Sequence, residues 1–163
     1  MKVLLLALTF LLAPFYTHAS APSKVLTVVT TFPILQDLTQ QIVGDRAGIR
    51  VYSIVKGKAD PHTYQPKTDD GKIVANADLI ITNGLGFEAG WMDRLITSSG
   101  SKARVFIAAQ SIKPRILILP HSGDPVPDPH TWHNVRNAIA IAKVILDALT
   151  SIDPDGRTHY EAQ

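Results

Sequence analysis

Short, uninterrupted apolar runs alternate with amphipathic stretches along this chain, and the alternation limits the folds open to it. Four runs are predicted as buried parallel strands, at residues 25–30, 49–55, 79–82 and 104–108. Amphipathic helices are predicted between and after them, from Pro33 to Gly44 and at residues 68–75, 88–96 and 134–149. We therefore predict an α/β fold in which a parallel four-stranded sheet is flanked by helices.

Three features of the remaining chain complete this outline. Residues 116–119 form a short apolar run that is expected to pair locally. Residues 153–156 form a turn, and a further helix is expected to begin at Arg157. Trp91 lies on one face of a predicted helix and is interpreted as a core residue.

The first residues have the pattern of an export signal. Lys2 supplies a positive charge, residues 3–12 are apolar, and Thr17-His18-Ala19 offers a cleavage point. The apolar run is shorter than the about 20 residues that a membrane span needs, which disfavours the alternative of an uncleaved anchor. We predict a signal peptide at residues 1–19, and its removal from the 163 residues leaves 144, the size of one ordinary domain.

Cysteine is absent from the sequence, which bears on both location and chemistry. No thiol is available for lipid attachment, so we expect a soluble protein of the periplasm. Any metal site must use nitrogen and oxygen ligands. The 16 Lys and Arg residues are nearly balanced by 14 Asp and Glu residues and form no dense basic run, so we expect no binding to nucleic acid.

One short phrase occurs twice and carries the chemistry of a metal site. Residues 60–64 read Asp-Pro-His-Thr-Tyr, and residues 128–132 read Asp-Pro-His-Thr-Trp. Histidine is the commonest metal ligand, a nearby carboxylate can fix its tautomer, and proline stiffens the loop between them. We predict that His62 and His130 converge on one divalent metal ion. The alternative is two Pro-stiffened turns whose histidines are solvated or bonded locally.

Two histidines alone make an incomplete set of ligands. His62 is expected just past the carboxyl end of a strand, where open α/β sheets place their ligands. A bound ion wants roughly two to four further donors. Either His121, His133 or a nearby acid completes the site, or the remaining ligands belong to a part of the protein that this sequence does not contain.

Motifs spread over nearly the whole mature chain point to one family. They are the export signal, VVTTFPI at residues 28–34, GKADPHTYQP at 57–66, ADLI at 77–80, NGLGFE at 83–88, WMDRL at 91–95 and DPHTW at 128–132. With these motifs in this order, the chain resembles the N-terminal lobe of the metal-binding solute-binding proteins of ABC transporters. Those proteins are periplasmic or surface receptors for zinc, manganese and iron.

The resemblance implies an architecture and a function. Family members have two α/β lobes joined by one long helix, and the metal lies between the lobes. The first lobe gives two histidines, which correspond to His62 and His130, while His133 is not a ligand position. The resemblance implies an N-terminal metal-binding lobe at residues 24–156 and the start of the connecting helix at residues 157–163. The second lobe, with its remaining ligands, is missing, so the chain reads as a truncated receptor.

The expected function is extracytoplasmic capture of manganese, iron or zinc and delivery to an ABC permease in the inner membrane, by a monomer that is not an enzyme. Zinc-selective members often carry a long His-rich loop between the two ligands. Here the corresponding loop, from Pro120 to the second ligand, is short and holds only His121 and two Asp residues, which favours Mn²⁺ or Fe²⁺ slightly over Zn²⁺.

Two other readings stay open at this point. A secreted zinc hydrolase could use His62, His130 and an acid, although His-Glu-x-x-His and Gly-x-Ser-x-Gly are absent from the sequence. A truncated receptor fragment without function would share the fold but not the activity.

Overall fold

The computed structural model describes residues 24–163, so the predicted signal peptide at residues 1–19 lies outside the described residues. The strands are β1 Leu26–Thr30, β2 Ile49–Ser53, β3 Leu79–Thr82, β4 Arg104–Ile107, β5 Ile116–Ile118 and β6 Pro125–Pro127. The α-helices are α1 Pro33–Val43, α2 Thr68–Ala75, α3 Trp91–Ser99, α4 Val135–Ile152 and α5 Arg157–Glu161. Single 3₁₀ turns precede α4 at Thr131–His133 and α5 at Pro154–Gly156.

The main sheet is parallel, with the strand order β2-β1-β3-β4. The central strands β1 and β3 are the most buried, and Val28, Val29 and Ile80 are fully shielded from solvent. Continuous β-branched runs suit this position because both faces of a central parallel strand are covered. The predicted α/β fold with a parallel four-stranded sheet is therefore confirmed.

Helices cover both faces of this sheet. Helices α1, α4 and α5 pack together on one face, and α2 packs against α3 on the other. Helix α4 presents Ile141, Ile145 and Leu149, all at most 1% exposed, to the sheet. None of the helices within residues 24–163 has the length and apolarity needed to cross a bilayer.

The first turn of α3 differs from the prediction. The helix was expected from residue 88 but begins at Trp91, because residues 84–90 form a series of tight turns. Leu85 and Ala89 have φ angles of 56° and 43°, so the backbone is left-handed rather than helical there. The carboxylate of Glu88, in the same turn, binds the ends of two strands instead of facing solvent.

The short apolar run after β4 pairs locally, as predicted. Strand β5 forms an antiparallel hairpin with β6, in which Leu117 lies opposite Val126. The sequence of β6, Pro-Val-Pro, did not suggest a strand, because proline cannot donate to a ladder. It is tolerated here because β6 has only one neighbour, so its proline nitrogens can face away from the pair.

The C-terminal residues are anchored to the lobe. Asp153 accepts hydrogen bonds from the guanidinium of Arg46, which follows α1, and from the hydroxyl of Tyr160 in α5. Gly156 lies against these three side chains, where a Cβ would come within 2.6 Å of Arg46 Nε and of a Tyr160 ring carbon. The direction in which the chain leaves α4 is therefore fixed by a partly buried polar cluster.

Candidate metal centre

The two loops with the repeated sequence meet at the carboxyl edge of the sheet. The first follows β2 and carries His62, and the second precedes α4 and carries His130. Their Nε2 atoms are 3.1 Å apart, and the ring centroids are 5.2 Å apart. The structure thus brings together the two residues that were singled out from the sequence. Their role as metal ligands stays a prediction.

The same backbone turn positions both histidines. The amide of His62 donates to Oδ1 of Asp60 at 2.9 Å, and the amide of His130 donates to Oδ1 of Asp128 at 3.0 Å. An aspartate that accepts the amide two residues later forms an Asx turn. The proline between aspartate and histidine has no N–H to satisfy and fixes φ. The repeated phrase therefore encodes a repeated, stiff turn.

The side chain of His130 has a second constraint. Its Nδ1 lies 2.9 Å from Oδ1 of Asp128. The hydrogen bond from the His130 amide, followed by that from its ring and the charge of Arg115, holds the pKa of Asp128 below its ordinary value. An ionised carboxylate only accepts, so Nδ1 carries the proton and Nε2 keeps its lone pair, which without a metal can accept a hydrogen bond from Nε2–H of His62 at 3.1 Å. This is the tautomer that a metal requires at Nε2.

The ring of His62 is oriented differently. Asp60 accepts from the Thr63 hydroxyl at 3.3 Å as well as from the His62 amide, both in its own turn. The His62 ring instead stands edge-on to Phe87, with centroids 4.7 Å apart and planes at 72°. Phe87 also contacts His130 edge-on at 5.7 Å. One buried aromatic ring therefore supports both imidazoles.

Phe87 belongs to an aromatic layer beneath the two histidines. Phe32 lies 4.6 Å from Phe87 and 4.8 Å from Trp132, centroid to centroid. Trp132 in turn lies 5.4 Å from His130. Phe32 and Phe87 are each 3% exposed. The layer keeps water from the inner side of the imidazole pair, which lowers the local dielectric constant and strengthens electrostatic interactions there.

Each loop is also held at its proline carbonyl by a hydrogen bond from a buried side chain, which we call a tether. The indole N–H of Trp91 donates to Pro61 O at 2.7 Å, and the side-chain amide of Asn83 donates to Pro129 O at 3.0 Å. Trp91 is 3% exposed and Asn83 fully buried. The interpretation of Trp91 as a core residue is confirmed, but it did not include the hydrogen bond to the His62 loop. No spacing pattern marks either tether, because the partners are 30 and 46 residues apart.

A buried carboxylate holds the backbone of Asn83, which forms the second of these tethers. The Glu88 carboxylate accepts hydrogen bonds from the Thr31 hydroxyl at 2.7 Å, from the backbone N–H of Asn83 at 2.6 Å and from the backbone N–H of Gly84 at 3.2 Å. Thr31 follows β1 and Asn83 follows β3, so the carboxylate joins the ends of the two central strands. Such charge-assisted bonds are stronger than neutral ones. Asn83 is thereby fixed where it can reach the second loop.

Neither additional histidine joins the pair. His121 lies in the exposed turn of the β5–β6 hairpin, and His133 is exposed in the 3₁₀ turn after His130. Within residues 24–163, no group of three or more His, Asp or Glu side chains is placed to hold one ion. A recess of about 420 Å³ opens beside the imidazoles and is lined by Leu117, Leu119 and Val126 of the hairpin.

Comparison with known proteins gives one consistent result. A family model described as zinc-uptake complex component A, periplasmic (ZnuA) matches residues 28–163. The manganese-binding lipoprotein MntA of Halalkalibacterium halodurans is 34% identical over 146 residues, which are 90% of this chain and 46% of the relative. The manganese ABC transporter substrate-binding lipoprotein PsaA of Streptococcus pneumoniae is 36% identical over 149 residues, 89% of this chain and 47% of the relative.

Solved structures agree with these relatives. The Mn-bound periplasmic metal binding protein from Candidatus Liberibacter asiaticus superposes with a TM-score of 0.74 at 31% identity, over 84% of this chain and 49% of that one. A crystal structure of ZnuA gives a TM-score of 0.74 at 29% identity, over 85% and 53%. The chain spans about half the length of the curated relatives that it matches.

Proposed function

Because the chain belongs to the ZnuA family of periplasmic zinc-uptake component A proteins, we propose that it captures a divalent transition metal outside the inner membrane and delivers it to an ABC permease. The family consists of substrate-binding proteins of transporters, not of enzymes. We propose that His62 and His130 are the metal ligands of this chain, and that binding and release, without bond chemistry, are its task.

The observation that carries this proposal is the 3.1 Å separation of the two Nε2 atoms. If each Nε2 atom lay about 2.05 Å from one metal ion, the two Nε2 atoms would be about 2.9 Å apart at an N–metal–N angle of about 90°. At the tetrahedral angle they would be about 3.4 Å apart. The observed separation lies between these values. An ion could therefore enter between the rings with shifts of a few tenths of an ångström, in either geometry.

We propose that a second lobe supplies the remaining ligands. Two nitrogens leave roughly two to four positions open on the ion. In support, no third ligand accompanies the pair in residues 24–163, and the relatives are about twice as long as the matched region. Residues 24–156 then form the N-terminal metal-binding lobe, and residues 157–163 begin the helix that connects the lobes.

We favour manganese or ferrous iron slightly over zinc as the cargo. The relatives from Halalkalibacterium halodurans and Streptococcus pneumoniae carry manganese in their names, and the superposed periplasmic protein holds it. The loop from Pro120 to the second histidine is short and contains one further histidine, His121. Imidazoles nevertheless bind zinc more tightly than manganese at a given site, so affinity in vitro does not identify the physiological metal.

The proposed location is the periplasm, reached through the signal peptide predicted at residues 1–19. Relatives are described as periplasmic or as lipoproteins, and both places lie outside the cytoplasm. The sequence has no cysteine for lipid attachment, which favours the soluble form. The proposed partners are the metal ion and the permease of an ABC transporter, with the receptor itself a monomer.

The test is a titration of the purified protein with Zn²⁺ and Mn²⁺, beside the double variant His62→Ala/His130→Ala. The matched control is His121→Ala/His133→Ala, which removes two exposed imidazoles away from the pair. We expect weak binding to the unaltered chain, because two imidazoles and water lack the charge of a second lobe. The first double variant should abolish it, and the control should leave it intact.

Three results would contradict the proposal. Binding that survives in His62→Ala/His130→Ala would place the ion elsewhere. Tight one-to-one binding that is lost in the control would mean that this chain completes its own coordination shell through His121 or His133. No binding of either metal would remove the basis for the receptor function and favour the alternative of a fragment without function.

A further inference from the structure

Glu88 is a buried ionisable residue whose charge the proposed metal ligation does not use. Its side chain is 7% exposed and lies in the turns between β3 and α3. Carboxylates are almost never buried in folded proteins unless a cation pairs with them or a metal binds them. The charge of Glu88 is therefore expected to have a partner.

The hydrogen bonds of Glu88 favour its ionised form. Oε1 accepts from the backbone N–H of Asn83 and from the Thr31 hydroxyl, and Oε2 accepts from the backbone N–H of Gly84. A backbone N–H can only donate, so each of the two oxygen atoms acts as an acceptor. This pattern suits a carboxylate that carries a full negative charge.

No full positive charge balances this carboxylate within residues 24–163. Each ion pair formed by the Lys, Arg and His side chains of this part of the chain involves another acid. The three groups that donate to Glu88 are neutral. Helix α1 begins at Pro33, two residues after Thr31, and its amino end offers roughly half a positive charge. Part of the negative charge is thus left for a cation that comes from outside.

Two short links connect Glu88 with the imidazole pair. Phe87, the residue directly before it, lies 4.7 Å from His62 and 5.7 Å from His130, centroid to centroid. Asn83, whose backbone N–H Glu88 binds, donates its side-chain amide to the proline carbonyl directly before His130. Phe87 is only 3% exposed, so protein atoms and not bulk water surround this region. Charges interact strongly through such a medium and are screened little by salt.

We propose that Glu88 is a buried counter-charge for the divalent cation that His62 and His130 bind. Imidazoles are neutral when they ligate a metal, so the pair itself brings no negative charge to the ion. Asp128 supplies one charge through its bond to the His130 ring, and Glu88 supplies a second from within the core. The carboxylate raises the affinity without touching the ion. This inference rests on the proposed function, because it needs an ion at the pair.

The first test is NMR of the unaltered chain. Glu88 and Glu161 are the only glutamates in the sequence, so ¹³C labelling of glutamate carboxyl groups gives two signals, which Glu161→Gln assigns. In the metal-free protein at neutral pH, Glu88 should have the chemical shift of an ionised carboxylate. Its signal should move as Zn²⁺ is added, while that of the exposed Glu161 should not. A protonated Glu88, or a Glu88 signal that does not respond to Zn²⁺, would overturn the proposal.

The second test is calorimetric titration of Glu88→Gln with Zn²⁺. Glutamine has nearly the same shape but no charge, and we expect the affinity to fall about tenfold. The matched control is Glu161→Gln, which makes the same change at an exposed residue that pairs with Arg157. It should keep the affinity within about twofold, because salt screens an exposed charge. Equal affinities in the two variants would argue against a counter-charge.

Asn83→Ala separates the charge of Glu88 from its effect on the tether. If Glu88 acted only by holding Asn83, Glu88→Gln would cost no further affinity once the Asn83 side chain is removed. A counter-charge predicts that the loss of about tenfold persists in the double variant. A loss that disappears there would overturn the proposal. Far-ultraviolet circular dichroism checks the fold of each variant, and the NMR result decides if Glu88→Gln does not fold.

The failure of this proposal and the failure of the proposed function give different results. Zn²⁺ that binds equally well to the unaltered chain and to His62→Ala/His130→Ala would reject the imidazole pair as the site, and the counter-charge with it. Zn²⁺ that requires both histidines but is indifferent to Glu88→Gln would reject the counter-charge alone.

Discussion

Trp91 donates its indole N–H to the carbonyl oxygen of Pro61 at 2.7 Å, so helix α3 holds the loop that carries His62. The bond joins two parts of the chain that are 30 residues apart, and it acts on the residue directly before the proposed ligand. The His62 loop therefore has its position set from within the hydrophobic core.

Trp91→Phe should loosen the first loop. The ring stays buried, but the Pro61 carbonyl loses its donor, at a cost of about 1 kcal/mol. We expect zinc affinity to fall about fivefold in the titration described above. Trp132→Phe is the matched control, because the Trp132 indole N–H is buried without a partner in residues 24–163. A loss of affinity in the control as large as in Trp91→Phe would show that aromatic packing, and not the tether, positions the histidines.

Thr31→Val should destabilise the lobe more than the same change at another buried threonine. The Thr31 hydroxyl donates to the buried carboxylate of Glu88, and its loss should cost about 1.5–3 kcal/mol. The Thr39 hydroxyl donates to the neutral Leu35 carbonyl within α1, and Thr39→Val should cost about 0.5–1.5 kcal/mol. Urea unfolding measures both. Equal costs would mean that Glu88 is not a stronger acceptor than a carbonyl oxygen.

Two glycine-to-alanine changes should have opposite signs. Gly156→Ala would push a methyl group to within 2.6 Å of the Arg46 and Tyr160 side chains and should destabilise the protein by about 1–3 kcal/mol. Gly71→Ala lies inside α2, where the nearest atom outside the helix is 4.0 Å away, and should stabilise the protein by about 0.5–1 kcal/mol. Thermal unfolding decides both, and a neutral Gly156→Ala would show that the C-terminal cluster can open easily.

Asp153 should make stability depend on acid pH. The hydrogen bond from Arg46, the first of several causes, lowers the pKa of Asp153 below its ordinary value of 3.8. A carboxyl with a depressed pKa contributes stability that is complete above the unfolded pKa and is lost as the pH falls through the folded pKa. The contribution should therefore be present at neutral pH and disappear below about pH 3.8.

The variant Asp153→Asn separates this contribution from those of other carboxylates. It should lower the stability at neutral pH and flatten the acid limb of the stability profile measured by urea unfolding. Asp155→Asn, at an exposed position in the following 3₁₀ turn, is the control and should keep the profile of the unaltered protein. The same acid limb in Asp153→Asn as in the unaltered protein would contradict the assignment.

Continuous apolar runs were sufficient to predict the sheet, because a strand covered on both faces needs little else. Apolar residues such as Val28 and Ile80 indicate a buried strand, and both side chains are fully buried in the structure. The start of α3 was misplaced because Glu88 is a good helix former in isolation, whereas here its carboxylate is required at the ends of β1 and β3. Strand β6 was missed because its two prolines oppose the ladder, and only its edge position makes them harmless.

The candidate site was predicted in part. His62 and His130 were identified because the residues around them are repeated, and the family was identified from motifs that the match of residues 28–163 confirmed. The tethers from Trp91 and Asn83 could not be predicted, because each depends on a distance that only the folded chain defines.

The two imidazoles come from positions 68 residues apart, so they face each other only after the sheet between them has formed. An unfolded or half-folded chain presents two separate histidines and holds an ion poorly. Any metal that the pair retains therefore stabilises the native state alone, by an amount that grows with the free metal concentration. In a compartment where unfolded chains are degraded, the lifetime of this protein would then rise and fall with the supply of its cargo.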